Sequence, residues 1–280
     1  MSKVLVTEAY LEDIADAIRE KLGSQDTYTP AQMASAILSI PTGGSVDIVP
    51  WSTGTDAEIA AMVAALDAGT ITISDTGWEI GDERTVSLSS MPATGVGESH
   101  AAQNVTMVLM DSQHYDLVGG GKDHFVVGLK DCLNEGGYMN PTATNTGSWD
   151  GCARRTWCNE VFRNSIPEVL RACFKQFECI TVEESGGNTL KTSNDYFALF
   201  AEKELFGEKN KGTQVEANAL SQIQYYSSNA RRTKKVNGSS YVWWERTPYI
   251  SNSFCMVNSN GTQNYNDANV SPGIAPFGCI

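Results

Sequence analysis

With 280 residues the chain has room for one large core, or two domains with a small appendage, and its apolar fraction is that of a folded soluble protein. A formal charge of −13 argues against a nucleic-acid partner, since gripping phosphates requires a basic surface. No apolar run approaches the length of a membrane span, and the first residues lack the apolar region of a signal peptide, so no membrane insertion is expected.

Thr7 is placed to cap a first helix whose apolar positions Leu11, Ile14, Ala15, Ile18 and Leu22 follow the 3.6-residue period, with Gly23 as its stop. Thr29-Pro30-Ala31-Gln32 sets a cap, a proline at the first helical position and a glutamine three residues after the cap. Met33, Ala36, Ile37 and Ile40 then make one stripe before Pro41-Thr42-Gly43-Gly44 breaks the chain. Two helices this short cannot bury both stripes alone. Residues 1–44 therefore read as a helical attachment or oligomerisation module that packs on itself and on a neighbour.

A second domain, 50–280, opens with Thr55-Asp56-Ala57-Glu58, a capping box, followed by Ile59, Met62, Val63 and Leu66 on one face and Gly69 at the stop. Residues 84–89, 105–110 and 124–129 read as strands, and 116–122 as a glycine-rich turn. Residues 136–150, dense in Asn, Thr and Gly, are irregular. Short helices are expected at 156–164 and from Ile166-Pro167-Glu168, the latter burying Val169, Leu170, Cys173 and Phe174; 178–182 is a strand, and 195–205 packs on the core. The sum is an α+β domain with long loops.

The last forty residues differ in kind. Between Tyr241 and Ile280 only Glu245, Arg246 and Asp267 carry charge, beside seven aromatic residues and six asparagines. The ends are apolar and look anchored, whereas 251–271 has the composition of a binding loop: tyrosine for rigid contact area, serine and asparagine for adaptable hydrogen bonds. A solvated loop without function is the plain alternative.

Other clusters carry less. Asp111 and His114 sit near each other, with His100 and His124 elsewhere, but no spacing suggests a metal site and a structural hydrogen bond is expected. The stretch 264–269 holds one carboxylate, Asp267, too few for calcium. Arg154 and Arg155 lie between Cys152 and Cys158; they would either activate a thiol or pair with a buried carboxylate while Trp157 packs, the second being expected. Trp243 and Trp244 read as core indoles with Arg246 bonded to a local acid, or else as a sugar platform with one indole exposed. The basic run 231–235 reads as a solvated turn. Seven cysteines without a C-x-x-C pair fit core positions in a chain assembled in a reducing cytosol. No cofactor is called for.

The ordered set His100-Ala101-Ala102-Gln103, Gly147-Ser148-Trp149, Arg154-Arg155-Thr156-Trp157, Ala201-Glu202-Lys203-Glu204, Trp243-Trp244-Glu245-Arg246-Thr247-Pro248 and Gly273-Ile274-Ala275-Pro276-Phe277-Gly278 resembles a family of uncharacterised domains. These occur in phage and prophage structural proteins of gut Firmicutes and in related bacterial surface proteins. The family is distantly similar to the C-type lectin fold, in the version shared by formylglycine-generating enzymes and by the variable proteins of diversity-generating retroelements, the phage major tropism determinant among them. The two N-terminal helices are similar to a module of phage tail proteins. The resemblance implies a tail or fibre protein of the virion, assembled in the bacterial cytoplasm as a homotrimer beside other tail proteins. It implies a binder of a host cell-surface protein or glycan, not an enzyme. By that resemblance the diversifiable binding residues are Ser251, Asn252, Asn258, Asn260, Asn264, Tyr265, Asn266, Asp267 and Asn269, on a scaffold of Trp243, Trp244, Arg246, Pro276 and Phe277. A structural virion component without host contact is one alternative. A formylglycine-generating-type oxidoreductase is another, although Cys255 and Cys279 lack the close cysteine pair of those enzymes.

Overall fold

The computed structural model describes residues 8–22, 26–39, 46–121 and 123–280. They fall into two units, residues 1–46 and 47–280. In the first, α1 (Glu8–Leu22) and α2 (Pro30–Ser39) pack through Ala15, Ile18, Met33 and Ala36, with Leu11 and Tyr28 against them. The backbone N–H and the hydroxyl of Thr29 both donate to Gln32 Oε1, at 2.9 and 2.7 Å, so the glutamine reaches back to the start of α2 as the sequence leads one to expect. Two stripe positions are corrected: Ile14 and Ile37 are exposed, because a two-helix contact covers a narrow seam and both lie at its margin. Thr7, Gly23, Ile40 and the break at 41–44 lie outside the described residues.

The second unit begins with α3 (Asp56–Asp67). Thr55 and Glu58 close a reciprocal capping box, and Ile59, Met62, Val63 and Leu66 are all buried. The main sheet is antiparallel: β1 (Glu83–Leu88), β2 (Gln103–Ser112) and β3 (Phe125–Leu129) run in spatial order, and β11 (Phe277–Cys279) adds beside β3. Residue types set these faces. β1 alternates exposed and buried side chains, as an outer strand should, whereas β3 is an unbroken apolar run buried at every position. Gly128 of β3 has no side chain because Met110 and Phe277 occupy that space, the Met110 sulfur 2.7 Å from where a Cβ would stand.

Between β3 and β11 the chain forms a continuous helical run: α4 (Ala153–Trp157), a π-turn at Cys158–Phe162 and α5 (Arg163–Ser165). Then comes α6 (Glu168–Ala172), which lies against α3. Val169, expected inside, is exposed, since α6 is a turn and a half long and buries only Leu170, with Cys173 and Phe174 just beyond it. The hairpin β4 (Phe177–Val182) and β5 (Leu190–Asp195) follows, then α7 (Glu202–Phe206), α8 (Gln214–Ala219) and the hairpin β6 (Lys234–Val236) and β7 (Ser239–Tyr241). A three-stranded antiparallel sheet in the order β10 (Gln263–Asp267), β9 (Ser253–Val257), β8 (Trp243–Pro248) completes a mixed α+β fold of several small sheets and helices.

The basic run is a second correction. Lys234 is fully buried; its ammonium donates to the carbonyls of Leu129 and Lys130 and lies 5.0 Å from the Trp243 ring centre. Burial pulls its pKa down to about 8. The four methylenes and the aromatic wall offset part of the desolvation cost.

The motif arginines behave as core hardware. Arg155 Nε donates to Asp195 Oδ1 at 2.6 Å, while Arg154 is buried over the Trp157 ring at 4.6 Å and donates to the carbonyls of Tyr138 and Val96. Burial pushes the Cys152 thiol up to about 11 and raises Cys158 further, the reverse of what activation needs. Asp111 Oδ2 lies 3.0 Å from His114 Nδ1, a local bond as expected. His100 is buried against Trp157, and burial first, Arg154 second, pulls its imidazole down to about 4. The unfolded chain therefore takes up this proton first as pH falls, and the stability that neutral His100 contributes above pH 6.5 is lost on the way down to about 4. Denaturant midpoints at pH 7 and 4.5 should show this loss, and His100→Gln should shrink the difference.

Candidate ligand-binding face

The C-terminal residues divide into a buried base and an outer rim. Every residue of β8 and β9 is buried. Trp243 Nε1 donates to the Arg232 carbonyl at 2.9 Å and Trp244 Nε1 to that of Gly137 at 2.7 Å, so both indoles are satisfied inside and neither is a sugar platform. Arg246 makes a two-pronged pair with Glu204 at 2.6 and 2.7 Å, both side chains fully buried, and donates again to Leu199 and Ile180 carbonyls. Pro276 and Phe277 are buried too, the Phe277 ring stacked on Phe200 at 4.0 Å.

The rim is narrower than the tract 251–271 suggests, because β9 lies within that tract and faces inward. Ser251, Asn260, Tyr265, Asn266 and Asn269 are exposed; Asn252, Asn258, Asn264 and Asp267 are half-buried. The half-buried four work partly for the fold. Asp267 Oδ1 accepts from Asn252 Nδ2 at 2.8 Å and Ser253 Oγ at 3.1 Å, fastening the β8–β9 turn to β10. At the other end Asn264 donates to Asn258 at 2.9 Å, Asn258 donates to Thr262, and Thr262 donates to Asn260, which pins the β9–β10 turn. Tyr241, expected as an anchored end, is exposed on the β6–β7 hairpin.

Four residues outside the expected set join or brace the rim. The Tyr249 ring packs on Tyr265 with centroids 4.5 Å apart, and the Lys211 ammonium lies 5.7 and 5.3 Å from the two rings. The Tyr249 carbonyl accepts from Ser185 Oγ, and Asn145 Nδ2 donates to the carbonyls of Ile250 and Ser253. A groove runs alongside, lined by Asn145, Thr146, Glu183, Glu184, Lys191 and Ser251. The rim thus extends from β10 across Tyr249 to the β4–β5 turn. Asn145 lies in the Asn- and Gly-dense stretch 136–150, whose composition was a usable signal; nothing local to Lys211 distinguishes it.

Among the described residues no three His, Cys, Asp or Glu side chains converge to hold a metal ion, and no helix is long and apolar enough to cross a membrane. No curated protein matches the chain, and no solved structure does. Residues 122–280, which contain the whole rim and its base, match the family model described as Domain of unknown function (DUF6273), and since this is more than half of the chain, the protein belongs to that family.

Proposed function

We propose that this protein is an attachment protein of a phage tail or fibre. Its C-terminal domain, of C-type-lectin-like architecture, presents the rim around Tyr265 to a protein or glycan on the host surface. Its N-terminal helices join it to the particle or trimerise it. The observation that carries the reading is the division of labour in β8–β10: exposed Tyr265 and Asn266 stand on an edge strand, while β9 and β8 beside it are buried along their whole length. Side chains so placed can change partner without disturbing the core, which is what a diversifiable surface requires. The lectin-like architecture is supported by a domain whose last strand, β11, returns to pair with β3 of the main sheet across long loops. The mechanism is binding without turnover, and several copies on one particle raise a weak single-site affinity.

The labelled chain, applied to a panel of whole bacterial cells, should bind some strains. Tyr265→Ala with Asn266→Ala should lower that binding by roughly 100-fold, as expected for loss of a central aromatic anchor, and shift the thermal midpoint by no more than about 3 °C. Undiminished binding by the double variant would remove this face from consideration. Binding to purified particle proteins but to no cell would favour a structural virion component. Diversification has its own test in the neighbouring DNA, where a reverse-transcriptase gene and a near-copy of the tract's coding sequence should be found.

A further inference from the structure

Four glutamates are buried beneath the three-stranded sheet: Glu202 and Glu204 in α7, Glu216 in α8 and Glu245 in β8. Two are fully employed. Glu204 holds Arg246, and Glu202 accepts the backbone N–H groups of Asn210, Lys211 and Gly212 at 2.9, 2.7 and 3.0 Å, so the segment 210–212 hangs on a single carboxylate. The other two are not. Neither oxygen of Glu245 meets a hydrogen-bond donor, and neither does Oε1 of Glu216. The buried cation that faces Glu216, Arg246, is already taken by Glu204.

The geometry ties these acids to the segment. A Cβ on Gly212 would stand 3.3 Å from Glu216 Oε2, 3.4 Å from Glu202 Oε2 and 2.6 Å from Thr247 Cγ2, so the backbone lies directly against both carboxyl groups. The groups facing Glu216 are Glu202 and Glu204 from α7, Glu245, Arg246 and Thr247 from β8 and Cys255 from β9, with Lys211 of the segment itself facing Cys255. Beyond the Glu204–Arg246 pair stand Cys179 of β4 and Tyr115. Glu216 and Glu245 cannot both be ionised here beside one arginine that is already paired.

We propose that Glu216 is a protonation latch, with Glu245 as its buried acid neighbour: with the Glu216 carboxyl neutral, residues 210–212 close onto Glu202 and hold Lys211 over Tyr249 and Tyr265, and ionisation of Glu216 loosens them. That the latch tunes ligand binding rests on the binding-face reading; the order of the segment does not.

Burial pushes Glu216 up to about 7, against an ordinary value of 4.5, and pushes Glu245 well above its usual range. The opened segment, with Glu216 in water, loses its proton first as pH rises. Closure is therefore strongest below about 4.5, weakens through the window up to about 7, and levels off where the closed state also ionises.

The test is amide hydrogen exchange at Lys211 and Gly212 in the full chain between pH 5 and 8, corrected for the intrinsic base-catalysed rate. Protection should fall by roughly tenfold per pH unit up to about 7 and then flatten. Glu216→Gln should hold protection high and pH-independent, while Glu245→Gln, which leaves the Glu216 carboxyl against Gly212, should keep the wild-type slope. A flat wild-type profile, or a sloping one in Glu216→Gln, overturns the latch. Should Glu216→Gln fail to fold, the carboxyl carbon shift of Glu216 in the native chain decides: a midpoint near 7 supports the latch and one near 4.5 overturns it. Because exchange is read without ligand, loss of the latch and loss of the binding face are separate results.

Discussion

Replacing Arg246 with methionine is expected to destabilise the C-terminal domain by about 3–5 kcal/mol, the range for breaking a buried ion pair from one side. Arg246 and Glu204 are both fully buried, and the pair is two-pronged. Without the guanidinium, the Glu204 carboxylate keeps only the Ala201 N–H at 2.8 Å, and the Leu199 and Ile180 carbonyls each lose a donor. At about 2–4 °C per kcal/mol for a domain of this size, the thermal midpoint should drop by on the order of 10 °C. Glu204→Met combined with Arg246→Met should recover part of the loss, since an apolar pair leaves no stranded charge. Urea unfolding of the four proteins in the cycle measures this, and a cost below about 1 kcal/mol for the single change would show that the pair matters little.

Asp195→Ala should cost nearly as much, about 3–4 kcal/mol, because four donors meet on one buried carboxylate. Oδ1 accepts from Arg155 Nε at 2.6 Å and Asn159 Nδ2 at 3.2 Å; Oδ2 accepts from Trp149 Nε1 at 2.9 Å and Ser193 Oγ at 2.8 Å. These partners belong to β5, to the helical run after residue 153 and to the loop before it, so a single residue ties three segments together. Asp195→Asn keeps the shape but turns an amide N–H₂ toward groups that are themselves donors, so it should recover less than half of the loss. Chemical denaturation of both variants checks the order, and equal stability of Asp195→Asn and wild type would show that charge is irrelevant there.

Local signals in the sequence carried most of the elements. The Thr55–Glu58 box, with apolar residues at 59, 62, 63 and 66, specifies α3 because cap and stripe agree, and the apolar runs near 105–110 and 124–129 become β2 and β3. What local reading misses is set by distant neighbours. Lys234 looks like a surface cation until the Trp243 ring and the Leu129 and Lys130 carbonyls surround it. Ile14, Ile37 and Val169 fit their stripes but stand where no neighbour covers them. The candidate site was legible in the same uneven way. Composition pointed to Tyr265 and Asn266, which are exposed, but it could not separate them from the buried strand 253–257 within the same polar tract, nor find Lys211 more than fifty positions away.

All seven thiols lie inside the fold, and burial raises each above its ordinary value. An alkylating reagent needs an accessible thiolate, so in the native protein it should find almost none. The chain thereby carries its own set of chemical clocks. Cys255 lies on β9 beneath the rim, Cys279 on β11 beside β3, and Cys173 just beyond α6. The order in which a short pulse of iodoacetamide labels them would report which part opens first, without any introduced probe.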